Sequence, residues 1–133
     1  DGSELMVFQL RGADGAPDPH SAGTWVDAAG GATPLGAGEF TLVPGRRWSS
    51  PSTDAAYPVQ WRIELPGRAA RFDISAAVDA QELNTEASTG VTYWEGAVTL
   101  RGQIGERAVS GRGYLEMTGY AGRPMSEMFR SGP

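Results

Sequence analysis

Two glutamates, Glu95 and Glu116, lie among aromatic residues in the segment YWEGAVTLRGQIGERAVSGRGYLEMTGY, which runs from Tyr93 to Tyr120. A carboxyl group in apolar surroundings is disfavoured as the anion and can serve as a proton donor. Aromatic faces beside it can stabilise a developing cation. The two-residue period of a strand places Tyr93 with Glu95, and Tyr114 with Glu116, Thr118 and Tyr120. On the other parity lie Trp94, Val98 and Leu100 in one strand, and Gly111, Gly113, Leu115, Met117 and Gly119 in the next. Two readings follow. With the tyrosine face turned inward, Glu95 and Glu116 are partly desolvated acids whose orientation hydroxyls can set. With the glycine face inward, they belong to a polar outer surface, and Glu95 pairs with an arginine such as Arg112.

Large aromatics also occur at Trp25, Trp48, Trp61 and Trp94. Rings lining a concavity suit flat, apolar ligands, and the same rings serve equally as core packing. The candidate ligand-binding set is therefore Trp48, Trp61, Tyr93, Trp94, Tyr114 and Tyr120, with Glu116 and Glu95 as candidate proton donors. His20, the single histidine, sits in a Pro/Asp loop and reads as a solvated turn residue. A Ser–His–Asp mechanism would have to use it. With no cysteine and one histidine, no zinc set is expected, and no motif calls for a cofactor. Asp79, Gln81 and Glu82 form a polar cluster at a loop entry, suited to turn and capping chemistry.

The elements that would position these groups are short strands. Nineteen glycines and nine prolines spread among brief apolar runs, and no segment sustains a helical period over three turns. Strand candidates are Glu4–Arg11, Thr24–Ala28, Glu39–Val43, Val59–Leu65, Arg71–Val78 and the two arms of Tyr93–Tyr120, about seven in all. The segment RRWSSPSTDAAYP holds Trp48 and Tyr57 in a long irregular loop, the kind that acts as a lid or a plug. Pro66–Ala70 has hairpin length, and DAQELNTEASTG reads as a polar loop. Residues 1–120 form one domain, and 121–133 a tail in which SEMF has the makings of one helical turn. Clean alternation with short connections indicates an antiparallel up-and-down barrel or sandwich, and the two long last strands favour a barrel.

Composition narrows the partners. A net charge of −5 with a pI near 4.8 gives no basic field for nucleic acid. All 11 basic residues are arginine, so Schiff-base lysine chemistry and a GxxxxGK[ST] phosphate loop are excluded. The missing cysteines exclude disulfides and thiolate nucleophiles. The chain starts at Asp1 rather than methionine, which leaves open a removed leader or an upstream domain.

At YWEGAV and GRGYLEMTGY the chain resembles the carotenoid 1,2-hydratase (hydroxyneurosporene synthase) and AttH-like family, whose members are lipocalin-like. DGSELMVFQLR, SAGTWVDAAG, WSSPSTDAAYPVQWRIELP and DAQEL follow in the family's order, so the resemblance covers nearly the whole chain. It implies an all-β, lipocalin-like (calycin-type) barrel, the C-terminal one of a pair, completed by an upstream segment or a partner. The implied activity is water addition to, or cyclisation of, an apolar isoprenoid or polyene. Glu116 or Glu95 would be the acid, with Trp61, Trp94 and Tyr114 around the cation. The alternatives are a non-catalytic module that binds an apolar ligand or supports a partner domain, and an AttH-like secreted hydrolase. The expected partners are an apolar small molecule and an upstream lipocalin-like domain or a second copy, with peripheral membrane contact. The expected source is bacterial, secreted or periplasmic, or cytoplasmic at the membrane. The family's His/Trp-rich segment before the DGSELM-like strand is not in this sequence, so roles proposed there are not carried over.

Overall fold

The structure, a computed structural model, describes residues 1–85 and 90–121. The helical-turn reading of SEMF lies outside the described residues. Among the described residues, eleven strands are formed: β1 Glu4–Phe8, β2 Ala22–Val26, β3 Ala32–Gly36, β4 Thr41–Pro44, β5 Arg47–Ser49, β6 Ala56–Pro58, β7 Gln60–Leu65, β8 Ala70–Ala76, β9 Glu82–Asn84, β10 Thr92–Ile104 and β11 Arg107–Thr118. They make a three-stranded sheet in the order β1-β2-β3, a six-stranded sheet in the order β11-β10-β8-β7-β4 with β9 on β10, and a separate β5-β6 pair. The fold is all-β, as the alternation of β7, β8, β10 and β11 indicates.

The chain divides into two compact units. The first comprises Asp1–Val43, Arg62–Phe72 and Gly102–Val109. Its buried apolar residues are Trp25, Leu35, Phe40, Leu65, Ala70 and Phe72. β1 ends at Phe8, short of the expected Arg11, because the next amides leave the ladder: the Leu10 N–H donates to Ser21 Oγ at 3.0 Å instead. The Gly30–Gly31 pair forms the turn of a β2–β3 hairpin. There the Asp27 carboxylate accepts the Ala29 and Gly31 amides, each at 2.9 Å, and Gly30 takes φ +89°. β3 contains Pro34, which an edge strand tolerates because its missing N–H costs no ladder bond. The β7–β8 connection is a single 3-10 turn, Pro66–Arg68, closed by Ala69 in the left-handed region at φ +48°. The Arg68 guanidinium caps the Trp25 ring at 4.8 Å. Gly102 is a glycine for a steric reason: a Cβ there would collide with the Arg71 carbonyl and come within 2.8 Å of Phe72 Cα.

The second unit comprises Pro44–Trp61, Asp73–Arg101 and Ser110–Pro133. Its core is a cluster of Ala55, Tyr57, Val59, Trp94 and Met117, with Trp48, Trp61, Ala76, Leu115, Tyr120 and Ala121 packed against it. The segment read as an irregular loop is a β-hairpin. Arg47, Trp48 and Ser49 pair with Pro58, Tyr57 and Ala56, and Tyr57 is wholly buried. The polar loop 79–90 contributes β9, which pairs with Thr92–Trp94. β10 and β11 are joined at Gly105–Glu106. Gly105 carries φ +58°, the left-handed first position that suits glycine in a two-residue hairpin turn.

Candidate functional site

The strand parity of β10 and β11 divides the sequence-derived candidates between two faces, except for Tyr120: it lies past the end of β11, after Gly119 at φ +76°, and joins the Trp94 side rather than the expected face of Tyr114 and Glu116. Trp94 is fully buried, and Trp48, Trp61 and Tyr120 pack around the cluster to which it belongs. Glu95 and Tyr93 are half-buried, Glu116 is exposed, and Tyr114 is 63% exposed. The structure brings Tyr93, Glu95, Tyr114 and Glu116 together. Partial desolvation, then the charge of Glu95 and a hydrogen bond with it, then Glu116 and Tyr93, raise the Tyr114 phenol above its ordinary value. Tyr114 therefore stays a neutral donor beside two carboxyl groups. Gly113 and Gly111 provide room on the other parity, where Val98 Cγ2 would lie 3.4 Å, and Leu100 Cδ2 4.0 Å, from an added Cβ.

The aromatic face has a polar edge at Glu82, which the sequence places in a polar cluster of turn and capping residues without showing its partners. Trp48 and Tyr57, opposite one another in the β5–β6 ladder, stack with centroids 6.2 Å apart, and the Tyr120 ring, tilted 38°, lies 5.5 Å from that of Tyr57. Three hydroxyls from the β5–β6 turn converge on Glu82 of β9. Ser50 Oγ donates to Oε1 at 2.6 Å, Ser52 Oγ to Oε1 at 2.8 Å and Thr53 Oγ1 to Oε2 at 2.7 Å. Burial alone would raise the Glu82 carboxyl. The hydroxyls of Ser50, Thr53, Tyr57 and Ser52 outweigh it and hold the group below its ordinary value. Glu82 is thus a carboxylate and an acceptor, not a proton donor.

Tyr57 is the exception among these hydroxyls. Its oxygen is buried and reaches no partner at full hydrogen-bonding geometry, although Glu82 is close enough to act on it. Burial first, then Glu82, raise the phenol well above its ordinary value. The remaining members of the polar cluster do structural work. Asp79 takes both guanidinium nitrogens of Arg46 at 2.6 and 2.9 Å, and its carbonyl accepts the Trp94 indole N–H at 2.7 Å. The Gln81 amide donates to the Val78 carbonyl at 2.6 Å. His20 is an exposed turn residue whose Nδ1 lies 2.7 Å from Asp18 Oδ1.

A family model described as AttH-like matches residues 1–120. The chain belongs to the AttH-like family. Among solved structures, it is similar to an AttH-type protein from Nitrosomonas europaea, with 39% identity and a TM-score of 0.79 over 90% of this chain and 36% of that one. Kievitone hydratase from Nectria haematococca shares the fold, with a TM-score of 0.70 and 21% identity over 88% of this chain and 35% of that one. By sequence, 79 residues are 29% identical to kievitone hydratase from Fusarium solani subsp. phaseoli, covering 59% of this chain and 22% of that protein. The AttH-like chain therefore spans 22% to 36% of the length of these relatives.

Proposed function

We propose that this AttH-like chain is one lipocalin-like barrel of a hydratase that adds water to an alkene of an apolar isoprenoid or polyene, in the manner of a carotenoid 1,2-hydratase. The supporting observation is the grouping of Glu95 and Glu116 with Tyr93 and Tyr114 on one face of the β10–β11 hairpin. Kinship with a protein named as a hydratase points the same way. In this reading a protonated Glu95 or Glu116 gives its proton to one alkene carbon. The tertiary cation left on the other carbon is stabilised by the tyrosine faces. Water adds to it and returns a proton to the carboxylate, so the acid is regenerated. Where water is kept out, an internal double bond captures the same cation, and the ring-closed cation loses a proton to the carboxylate, which gives a cyclic alkene and regenerates the acid.

The acids stand on an open face, so the apolar wall around the substrate must come from another segment: an upstream lipocalin-like domain or a second copy of the chain. That exposure also favours a second reading, a non-catalytic module that binds an apolar ligand or supports a partner domain. Incubation of the protein with acyclic carotenoids or shorter isoprenoids separates the two. Hydroxylated product that disappears in Glu95→Gln or Glu116→Gln, with ligand binding retained, supports the hydratase. Binding without product supports the module, and an unchanged rate in both variants removes these acids from the mechanism.

A further inference from the structure

The β5–β6 hairpin is held unlike the other strands of its unit. Its two strands hydrogen-bond to each other and join neither of the larger sheets. A two-stranded hairpin is marginal by itself in water, so its place depends on what its side chains grip. At the base, the Val59 N–H donates to the Arg46 carbonyl at 2.8 Å, and the exposed Arg46–Asp79 pair secures the first strand. At the tip, Ser50, Ser52 and Thr53 all hang on one carboxylate, Glu82. Between base and tip, the Tyr57 ring sits in an apolar seat with Val59, Trp94 and Met117.

One feature opposes this closed arrangement. The Tyr57 hydroxyl is carried into the core without a full hydrogen bond, an unfavourable placement for a polar group. The hairpin is therefore closed by a latch at its tip against a cost at its centre.

We propose that the β5–β6 hairpin is a displaceable plug: Tyr57 fills an apolar ligand seat, and the Ser50/Ser52/Thr53–Glu82 latch holds it shut. The residue in the seat indicates what would replace it. Tyr57 presents a planar ring stacked with Trp48 and tilted 38° against Tyr120, and one hydroxyl near Glu82, so the ligand class is a flat apolar molecule bearing a single hydroxyl. On entry its ring would lie on Trp94 and Tyr120, and its hydroxyl would donate to Glu82, freed from the departing serines and threonine. This seat is on the opposite parity of β10 and β11 from Glu95 and Glu116, so it stands or falls apart from the acid chemistry proposed above.

The test uses 2-naphthol as the probe, naphthalene as its control, and the variants Ser52→Ala and Thr53→Ala, which weaken the latch while keeping the Glu82 acceptor. Binding is read by naphthol fluorescence and opening by amide hydrogen exchange. In both variants, exchange in residues 47–58 is expected to rise at least tenfold while Trp94–Thr99 keep their rates. The affinity for 2-naphthol is expected to rise at least threefold in each, and that for naphthalene to remain weaker. Glu82→Ala should open the hairpin and yet lose the preference for 2-naphthol. Equal exchange in the variants and the parent, or exchange rising together in 47–58 and β10, would overturn the plug. An opened hairpin without tighter 2-naphthol binding would overturn the seat.

Discussion

Tyr57→Phe is expected to stabilise the protein, against the usual direction for a substitution in a core. The ring is retained, so its stacking with Trp48 at 6.2 Å and its contact with Tyr120 at 5.5 Å persist. What is lost is one buried oxygen without a full hydrogen bond. Such a group costs about 1–3 kcal/mol in desolvation. Its weak attraction to Glu82 returns part of that, so a net gain of about 1 kcal/mol is expected. For a chain of this size, that corresponds to a rise in Tm of roughly 4 °C. Urea unfolding followed by tryptophan fluorescence gives the same quantity as a higher midpoint with an unchanged slope. The pH dependence supplies an independent check. The folded phenol has a pKa raised above its ordinary value of 10.0, so its contribution is complete below that value and is lost as pH rises beyond it. The Phe variant should lack this alkaline loss. A midpoint lowered by 1 kcal/mol or more would refute the reasoning, because it would mean that the hydroxyl has a firm partner in solution.

Two further perturbations test the packing and the latch. Gly102→Ala should cost about 1–3 kcal/mol in urea unfolding, because its methyl meets backbone at Arg71 and Phe72 that cannot rotate away. Glu82 has a folded pKa below its ordinary 4.5, so its contribution is complete above that value and declines as pH falls through the lower folded value. Stability measured between pH 5 and pH 2 should therefore fall more steeply in the parent than in Glu82→Gln.

The long strands were legible because their pattern is local. Trp94, Glu95, Gly96, Ala97 and Val98 alternate in burial as the sequence alternates in polarity. Parity alone also showed that Glu95 and Glu116 lie opposite the more apolar residues. The shorter strands carry too little pattern. β3 has a proline at its centre, β9 is only Glu82–Asn84, and β5 and β6 are three residues each, separated by a serine- and proline-bearing turn. Each forms because a neighbour offers a ladder, which is a tertiary cause. The same reason hides the Glu82 latch. Its hydroxyl donors lie 29 to 32 residues away, and no spacing rule connects a carboxylate on one strand to the tip of a distant hairpin.

The final hairpin presents two different faces through one backbone. Because successive side chains point to opposite faces, Trp94 can be fully buried while its neighbours Tyr93 and Glu95 remain partly open. A change that tightens packing on one face need not disturb the acids on the other. It follows that Tyr57→Phe, although stabilising, should leave any hydration by Glu95 or Glu116 intact. A loss of activity in that variant would instead place the reacting double bond on the plugged face, with Tyr57 within reach of it.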